Sequence, residues 1–379
     1  MSVRDLITAL SVDSPPRDQP TIDRIAPITI RRASFDGLTC SQLFAEPTDR
    51  PWLTPGVFSQ HEPAVIVGPS KCMKTSISID LCASLATGRS FLGKFAAART
   101  FRVGVMSGES NRYALTDMVR RWSAGAEVDL SEVDNLVWSL KLPNLTSAAS
   151  LHDLQAWIRE YQLEVVLLDP LYLMAPGVNP ANIFAMGAIL SRLSRSCLGE
   201  GATPILCHHT RKRVDRRPLD LTDMAGAGCA EFARQWLLLN RRRPYQAGSG
   251  RHRLWMTIGG AAGQESWWGV DIEEGRGEDS AARHWRTTVR DLPSLERDPE
   301  TQEQLPLEAR LRRKIRAAFE KLGEPAVMKT RVKENSGLNG ARFQSAWDAM
   351  IKSGEIIETE LIQTGKNNQA TQNFQLAQT

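Results

Sequence analysis

Short apolar runs alternate with helically patterned segments from residue 36 to residue 275. Eight runs have the length and apolar content of buried strands: 65–67, 102–107, 136–140, 165–168, 204–208, 236–240, 254–258 and 267–272. The stretch 76–87 has no Gly or Pro and carries Ile77, Ile79, Leu81, Cys82 and Leu85, which predicts a helix just after the first run. Further helices are predicted over 150–161 and 181–196, before and after the run at 165–168. Such alternation means βαβ units, a mostly parallel sheet and an α/β fold. The last two runs lie close together with Gly259, Gly260 and Gly263 between them, and are expected to form an antiparallel hairpin at the sheet edge.

The pattern changes at both ends. Residues 1–35 contain Pro15, Pro16, Pro20 and Pro27 among scattered charges and read as a mostly disordered lead-in. Residues 276–305 are charged and contain Gly and Pro, and read mostly as a linker, with His284-Trp285-Arg286 a candidate extension of the sheet. Residues 306–379 form a separate unit. Helices are predicted over 307–322, 328–335 and 339–353, the first strongly basic at Arg310, Arg312, Arg313, Lys314 and Arg316, the third with Phe343, Ala346, Trp347, Met350 and Ile351 on one face. Strands over 356–362 and 369–376 follow, joined by Thr364-Gly365-Lys366-Asn367-Asn368. Three helices and a hairpin make a winged helix, whose third helix would enter a major groove or dock on protein. Arg342, Gln344 and Ser345 are the candidate groove-facing residues, and Lys366 would sit on the wing.

Composition adds bounds. The 379 residues suit two domains plus tails, and 42% hydrophobic with 24% charged content is ordinary for a globular protein. No apolar run reaches 18 residues, and the first ten residues do not read as a signal peptide. Six cysteines without a CxxC pair fit a reduced, cytoplasmic protein and argue against a structural zinc site. Net charge is only +4, but the basic residues are clustered.

The strongest chemical signal is Gly68-Pro69-Ser70-Lys71-Cys72-Met73-Lys74-Thr75. A phosphate-binding Walker A loop needs Gly, four free positions, then Gly-Lys-Ser/Thr. Gly68, Lys74 and Thr75 have that spacing, whereas Met73 replaces the second Gly and Lys71 adds a charge inside the loop. A strand precedes it and a helix follows, so backbone N–H groups and a helix N-terminus would face a polyphosphate, with residues 68–76, through Ser76, as its cradle. Lys74 would reach the terminal phosphates, and the Thr75 hydroxyl would hold Mg²⁺. Met73 is tolerable if it is the first helical residue, since Met adopts helical dihedrals readily. The bland alternative is a chance match on a structural strand–helix turn.

Three further strand ends carry polar groups. Asp169 ends an apolar strand and is read as a second Mg²⁺ ligand, against the alternative of a helix cap. Glu109 follows the strand 102–107, taken to neighbour the P-loop strand, and is the general-base candidate; the alternative is an exposed loop glutamate. His208 and His209 end the strand 204–208, and alternation lets only one of them face a γ-phosphate.

Together the P-loop, Glu109, Asp169 and His208-His209-x-x-Lys212 resemble the RecA-like ATPases of the AAA class, and among them the RepA-type hexameric replicative helicases of plasmids and phages. The resemblance implies a RecA-like core binding ATP and Mg²⁺, over roughly residues 50–275. Along 225–236 it implies that Arg234 acts as an arginine finger on a neighbouring subunit's nucleotide, and hence a hexameric ring or filament. Arg241, Arg242 and Arg243 compete for that role. The basic run after His209 corresponds to a channel loop, so Arg211, Lys212, Arg213, Arg216 and Arg217 would contact the phosphates of single-stranded DNA in a central channel. Residues 175–180 are a weaker candidate for a second such loop. The alternatives are an ATP-sensing DNA-binding regulator or loader with little turnover, and a RecA-like repair or recombination ATPase.

Overall fold

The computed structural model describes residues 37–46, 49–211, 214–275, 283–298, 305, 307–359, 362–364 and 369–377. Residues 1–50 form one unit and 51–379 another. In the first, the short helix α1 (Cys40–Phe44) starts at a reciprocal capping box between Thr39 and Gln42.

The second unit is built on a nine-stranded sheet. After a small hairpin of β1 (Trp52–Thr54) and β2 (Phe58–Ser59) comes the P-loop strand β3 (Ala64–Gly68). The further strands are β4 (Val103–Ser107), β5 (Leu136–Ser139), β6 (Val165–Asp169), β7 (Thr203–His209), β8 (Gln235–Arg241), β9 (Arg251–Gly260), β10 (Ser266–Glu273) and β11 (Arg286–Arg290). The order across the sheet is β11-β10-β9-β8-β3-β7-β6-β4-β5. The six strands from β8 to β5 run parallel, and β9, β10 and β11 continue antiparallel.

Burial follows the period of two. Ala64 and Ile66 of β3 enter one core, and Val65 and Val67 enter the other. Helix α2 (Lys74–Thr87) fills the first with Ile77, Leu81 and Leu85. The second is covered by α4 (Ala148–Tyr161) and α5 (Ile183–Leu198), through Leu154, Ile158, Leu190 and Leu193. With helices on both faces, β3 and β6 are buried at every position and read as unbroken apolar runs. Helix α3 (Arg112–Ala126) follows β4, and the short α6 (Cys229–Phe232) precedes β8.

Within the segment expected to be mostly linker, residues 286–290 form a strand. β11 pairs with β10 from Gly269↔Arg290 to Glu273↔Arg286, so β11 and not the β9–β10 hairpin forms that edge. Its charges are satisfied locally: buried Asp271 on β10 accepts from Arg290 at 2.8 Å and also pairs with Arg242 and Arg253. Helix α7 (Leu292–Glu296), capped by Asp291, follows. Leu295, Leu305 and Ala309 bury with Trp255 of β9, and Gly269 leaves the room for Leu295, which a Cβ there would approach to 2.6 Å.

Residues 307–376 add α8 (Leu307–Leu322), a short strand β12 (Val327–Met328), α9 (Lys329–Ser336) and α10 (Gly340–Lys352). The strands expected at 356–362 and 369–376 are each interrupted, as β13 (Ile356–Glu358) with β14 (Ile362–Thr364), and β15 (Gln369–Thr371) with β16 (Asn373–Leu376). β12, β16 and β13 form one antiparallel sheet, and β14 and β15 a separate hairpin. Ile315, Phe319, Val332, Phe343, Trp347, Met350 and Phe374 make a core of their own. Among the described residues no helix is long and apolar enough to cross a membrane.

Candidate nucleotide site

The parallel strands bring their C-terminal ends to one edge. Register places Gly68 beside His209 and Ser107 beside Asp169, and the Gly108 N–H donates to Asp169 O at 2.9 Å. Ligands bind at this edge in open α/β sheets. β4, however, does not neighbour the P-loop strand: β7 and β6 lie between them. The order of motifs along a chain does not reveal the order of strands across a sheet, so that expectation is corrected.

Gly68 is required by packing, since a Cβ there would come within 2.7 Å of Leu239 O on β8. Lys74 opens α2, and its buried ammonium donates to Gly68 O at 2.9 Å and Pro69 O at 2.8 Å and meets His209 Nδ1 at 3.2 Å. An ammonium only donates, so His209 Nδ1 accepts and its proton sits on Nε2. Burial lowers the Lys74 pKa, partly opposed by Cys207, Cys72, Asp169 and Glu109. Burial likewise lowers that of His209, and neighbouring Lys74 adds to it.

Met73 is where sequence expectation and structure part. It is not the first helical residue but the position before it, with φ 60° and ψ 18°, in the left-handed region. Lys71 is also left-handed, with φ 58°. The loop thus keeps the backbone shape that a glycine serves best, without the glycine, and Met73 packs its half-buried side chain on the core. Cys72 points away from the cradle into that same core, and burial pushes its thiol up to about 11. Pro69 and Ser70 line the open part of the loop, and Ser76 Oγ faces Met118 Sδ on α3 at 3.6 Å.

The Thr75 hydroxyl donates to Asp169 Oδ2 at 2.8 Å. Asp169 is buried, and burial raises its pKa, with Thr75 and Lys74 opposing and Glu109 adding to it. This pair fits Mg²⁺, which binds through one or two side-chain oxygens together with substrate phosphates and needs no protein cage. No group of three or more His, Cys, Asp or Glu side chains among the described residues is placed to hold a metal.

Glu109 is exposed, and its Oε1 accepts from the Tyr172 hydroxyl at 2.7 Å. That contact raises the Tyr172 pKa, so the phenol keeps its proton and remains the donor. The Tyr172 ring lies 5.8 Å from that of His209. The two histidines do face opposite ways. His208 Nε2 donates to Ala225 O at 2.7 Å, which ties β7 to the turn 225–228, and burial lowers its pKa. That turn packs on 175–180, with Ala227 N donating to Pro180 O at 2.8 Å.

The arginines separate by role. Arg241 stands on the P-loop of its own chain, donating to Lys71 O and lying 5.7 Å over Tyr245. Arg242 is fully buried against Asp271 and Asp298, and Arg243 also pairs with Asp298. These two are structural cations, not free fingers. Arg234 is exposed at the start of β8, where its N–H meets Pro63 O, at the opposite end of the sheet from Gly68. It cannot serve the nucleotide of its own chain.

In the basic loop, Arg211 and Arg216 are exposed, whereas Lys212 and Arg213 lie outside the described residues, as does Lys366. Arg217 is not free for phosphates. It grips Asp223 with two hydrogen bonds of 2.8 and 2.7 Å, which raise its pKa. Asn240 holds the loop from β8 through Asp215 O at 2.6 Å and Arg217 O at 2.8 Å. In the C-terminal unit Arg342, Gln344 and Ser345 are exposed as expected, but Gln344 binds Asp348 at 2.6 Å. Arg312 and Arg316, counted as part of a basic helix, pair with Glu308, Glu355 and Glu296. Sequence reasoning missed Tyr172, Asn240 and the brace by Arg241. The one available signal was position: Tyr172 follows Asp169 by three residues, and Asn240 ends an apolar strand.

A family model described as an AAA domain matches residues 29–215, a span holding the P-loop, Glu109, Asp169 and both histidines. Among solved structures, a KaiC-like protein of the hyperthermophilic archaeon Pyrococcus horikoshii is similar at 16% identity, over 63% of this chain and 99% of that one, with a TM-score of 0.39. No curated protein matches the chain. The matched span includes the strand β3, the loop after it and the start of α2, which together have the arrangement of a phosphate-binding loop.

Proposed function

We propose that this RecA-like core is an ATP-hydrolysing motor acting on nucleic acid, a RepA-type DNA helicase working as a ring or filament. The observation that carries the reading is the meeting of Lys74, Thr75–Asp169, Glu109 and His209 at one sheet edge. A protein that only binds nucleotide has no need of a general base there. Lys74 turns its ammonium from the Gly68 and Pro69 carbonyls to the phosphates. Glu109 takes the proton of the attacking water, and His209, beside Lys74, senses the terminal phosphate. Bound Mg²⁺, held through Thr75 and Asp169, would neutralise charge on the phosphates.

Arg234 is the candidate finger for a neighbouring subunit. Its exposure and distance from its own P-loop suit a role in trans only. Arg211 and Arg216 are the candidate single-strand contacts, and residues 306–379 the candidate winged helix, with Arg342 toward DNA or a protein partner. A second reading, an ATP-sensing regulator with little turnover, is favoured by one observation: the left-handed Met73 in the P-loop. ATP turnover with and without single-stranded DNA, alongside the mass of the nucleotide-bound assembly, separates the two. DNA-stimulated turnover by an oligomer supports the motor, and a nucleotide-binding monomer without turnover refutes it. In the motor, Arg234→Ala abolishes turnover and spares nucleotide binding.

A further inference from the structure

Glu109 stands on an exposed loop after β4, a strand that β7 and β6 separate from the P-loop strand. A free glutamate samples several rotamers, while a general base works only when held within hydrogen-bond reach of the attacking water. Among the described residues its side chain has one close restraint, the Tyr172 hydroxyl at 2.7 Å. Tyr172 is in turn well placed to hold it. It lies in the one-turn helix Leu171–Leu173 that follows Asp169, and this turn is anchored by the buried Leu171 and Met174. Its ring rests against His209, and His209 meets Lys74 at 3.2 Å. Lys74, His209, Tyr172 and Glu109 therefore make one continuous row of side chains. The row runs from the start of α2, over the ends of β7 and β6, to the end of β4.

Stability does not explain this tyrosine. Its side chain is about half exposed, at 53%, so burying it contributes little. Its hydroxyl is spent on Glu109 instead of on water.

We infer that Tyr172 is the positioning residue of the general base: its hydroxyl selects the Glu109 rotamer, and its ring fixes that choice relative to His209 and Lys74. The inference rests on the ATPase reading above. Phenylalanine is the decisive replacement, because it keeps the ring against His209 and deletes only the donor.

The test compares the full-length wild type, Tyr172→Phe, Glu109→Gln and the double variant, by steady-state and single-turnover ATP hydrolysis and by nucleotide binding. Tyr172→Phe is expected to lower kcat about tenfold, the scale of one hydrogen bond to a charged group, with KM and nucleotide affinity unchanged. In the Glu109→Gln background the same change should add no further loss, because Tyr172 acts through Glu109. A side chain of merely structural value would instead give losses that multiply. Unchanged kcat in Tyr172→Phe, a loss confined to KM, or multiplying losses each overturn the inference while leaving an active ATPase. A wild type that binds nucleotide without turnover overturns the ATPase reading, and this inference with it.

Discussion

Replacing Met73 tests the P-loop directly, because Ala and Gly respond with opposite signs in the two possible backbone conformations. In a regular helix Gly is about 0.5–1 kcal/mol worse than Ala. In the left-handed region a residue with a Cβ costs about 1–2 kcal/mol, and Gly escapes that. Gly returns about 0.4–1 kcal/mol of this through the freedom of the unfolded chain. With φ 60° and ψ 18° at Met73, Gly should be more stable than Ala by about 0.5–1 kcal/mol. Both variants lose the half-buried Met side chain packed on the core, a cost of about 1–2 kcal/mol that cancels in the comparison. Urea unfolding of the two variants, fitted with a common slope, reads the difference. If Met73→Ala is the more stable, the residue is helical and the reasoning fails. The same variants address function: if ATP turnover appears only in Met73→Gly, the natural loop is a sensor and the motor reading is wrong.

Three further outcomes follow from the side-chain geometry. If the protein binds single strands as proposed, Arg211→Ala and Arg216→Ala should each reduce the salt slope of that binding by about 0.7, whereas Arg217→Ala, whose guanidinium is already paired with Asp223, should leave the slope unchanged. Fluorescence anisotropy across a salt series measures this. Arg242→Ala removes a fully buried guanidinium and leaves Asp271 to Arg253 and Arg290 and Asp298 to Arg243, so it should cost about 2 kcal/mol in denaturant unfolding, more than Arg243→Ala with its half-exposed side chain. Asp80 in α2 is fully buried beneath Trp285, and burial raises its pKa from 3.8 to about 6 against the opposing hydrogen bonds of Leu92 N–H, Trp285 and Ser84. Because the folded value is the higher, its contribution is complete below pH 4 and is lost as pH rises to about 6, by about 3 kcal/mol. The stability of wild type relative to Asp80→Asn should therefore fall over that window, and a flat difference would contradict the burial of a titrating carboxyl.

The candidate site was legible where its parts are local. Gly68, Lys74 and Thr75 depend on spacing within one strand–loop–helix, and the strand ends at Glu109, Asp169 and His209 show as polar residues closing apolar runs. The basic residues were legible as charge but not as partners. Arg217 looked as free as Arg216, and Arg312 as free as Arg342, because pairing with Asp223 or Glu355 is decided by folding geometry. The segment at 286–290 looked like linker for the same reason: its arginines are polar in sequence, yet they flank an edge strand whose neighbour supplies Asp271.

By itself, then, the sequence determined an α/β core with a phosphate-binding loop and the candidate site residues in order. Hydrophobic period and motif spacing are properties of neighbouring residues, so they survive without a structure. Only the tertiary structure decided that β7 and β6 separate Glu109 from the P-loop strand, that Met73 takes a left-handed backbone, and that Tyr172 reaches Glu109. Strand order, turn dihedrals under packing and contacts 63 residues apart in the chain are set by the closing of the sheet, to which no local pattern refers.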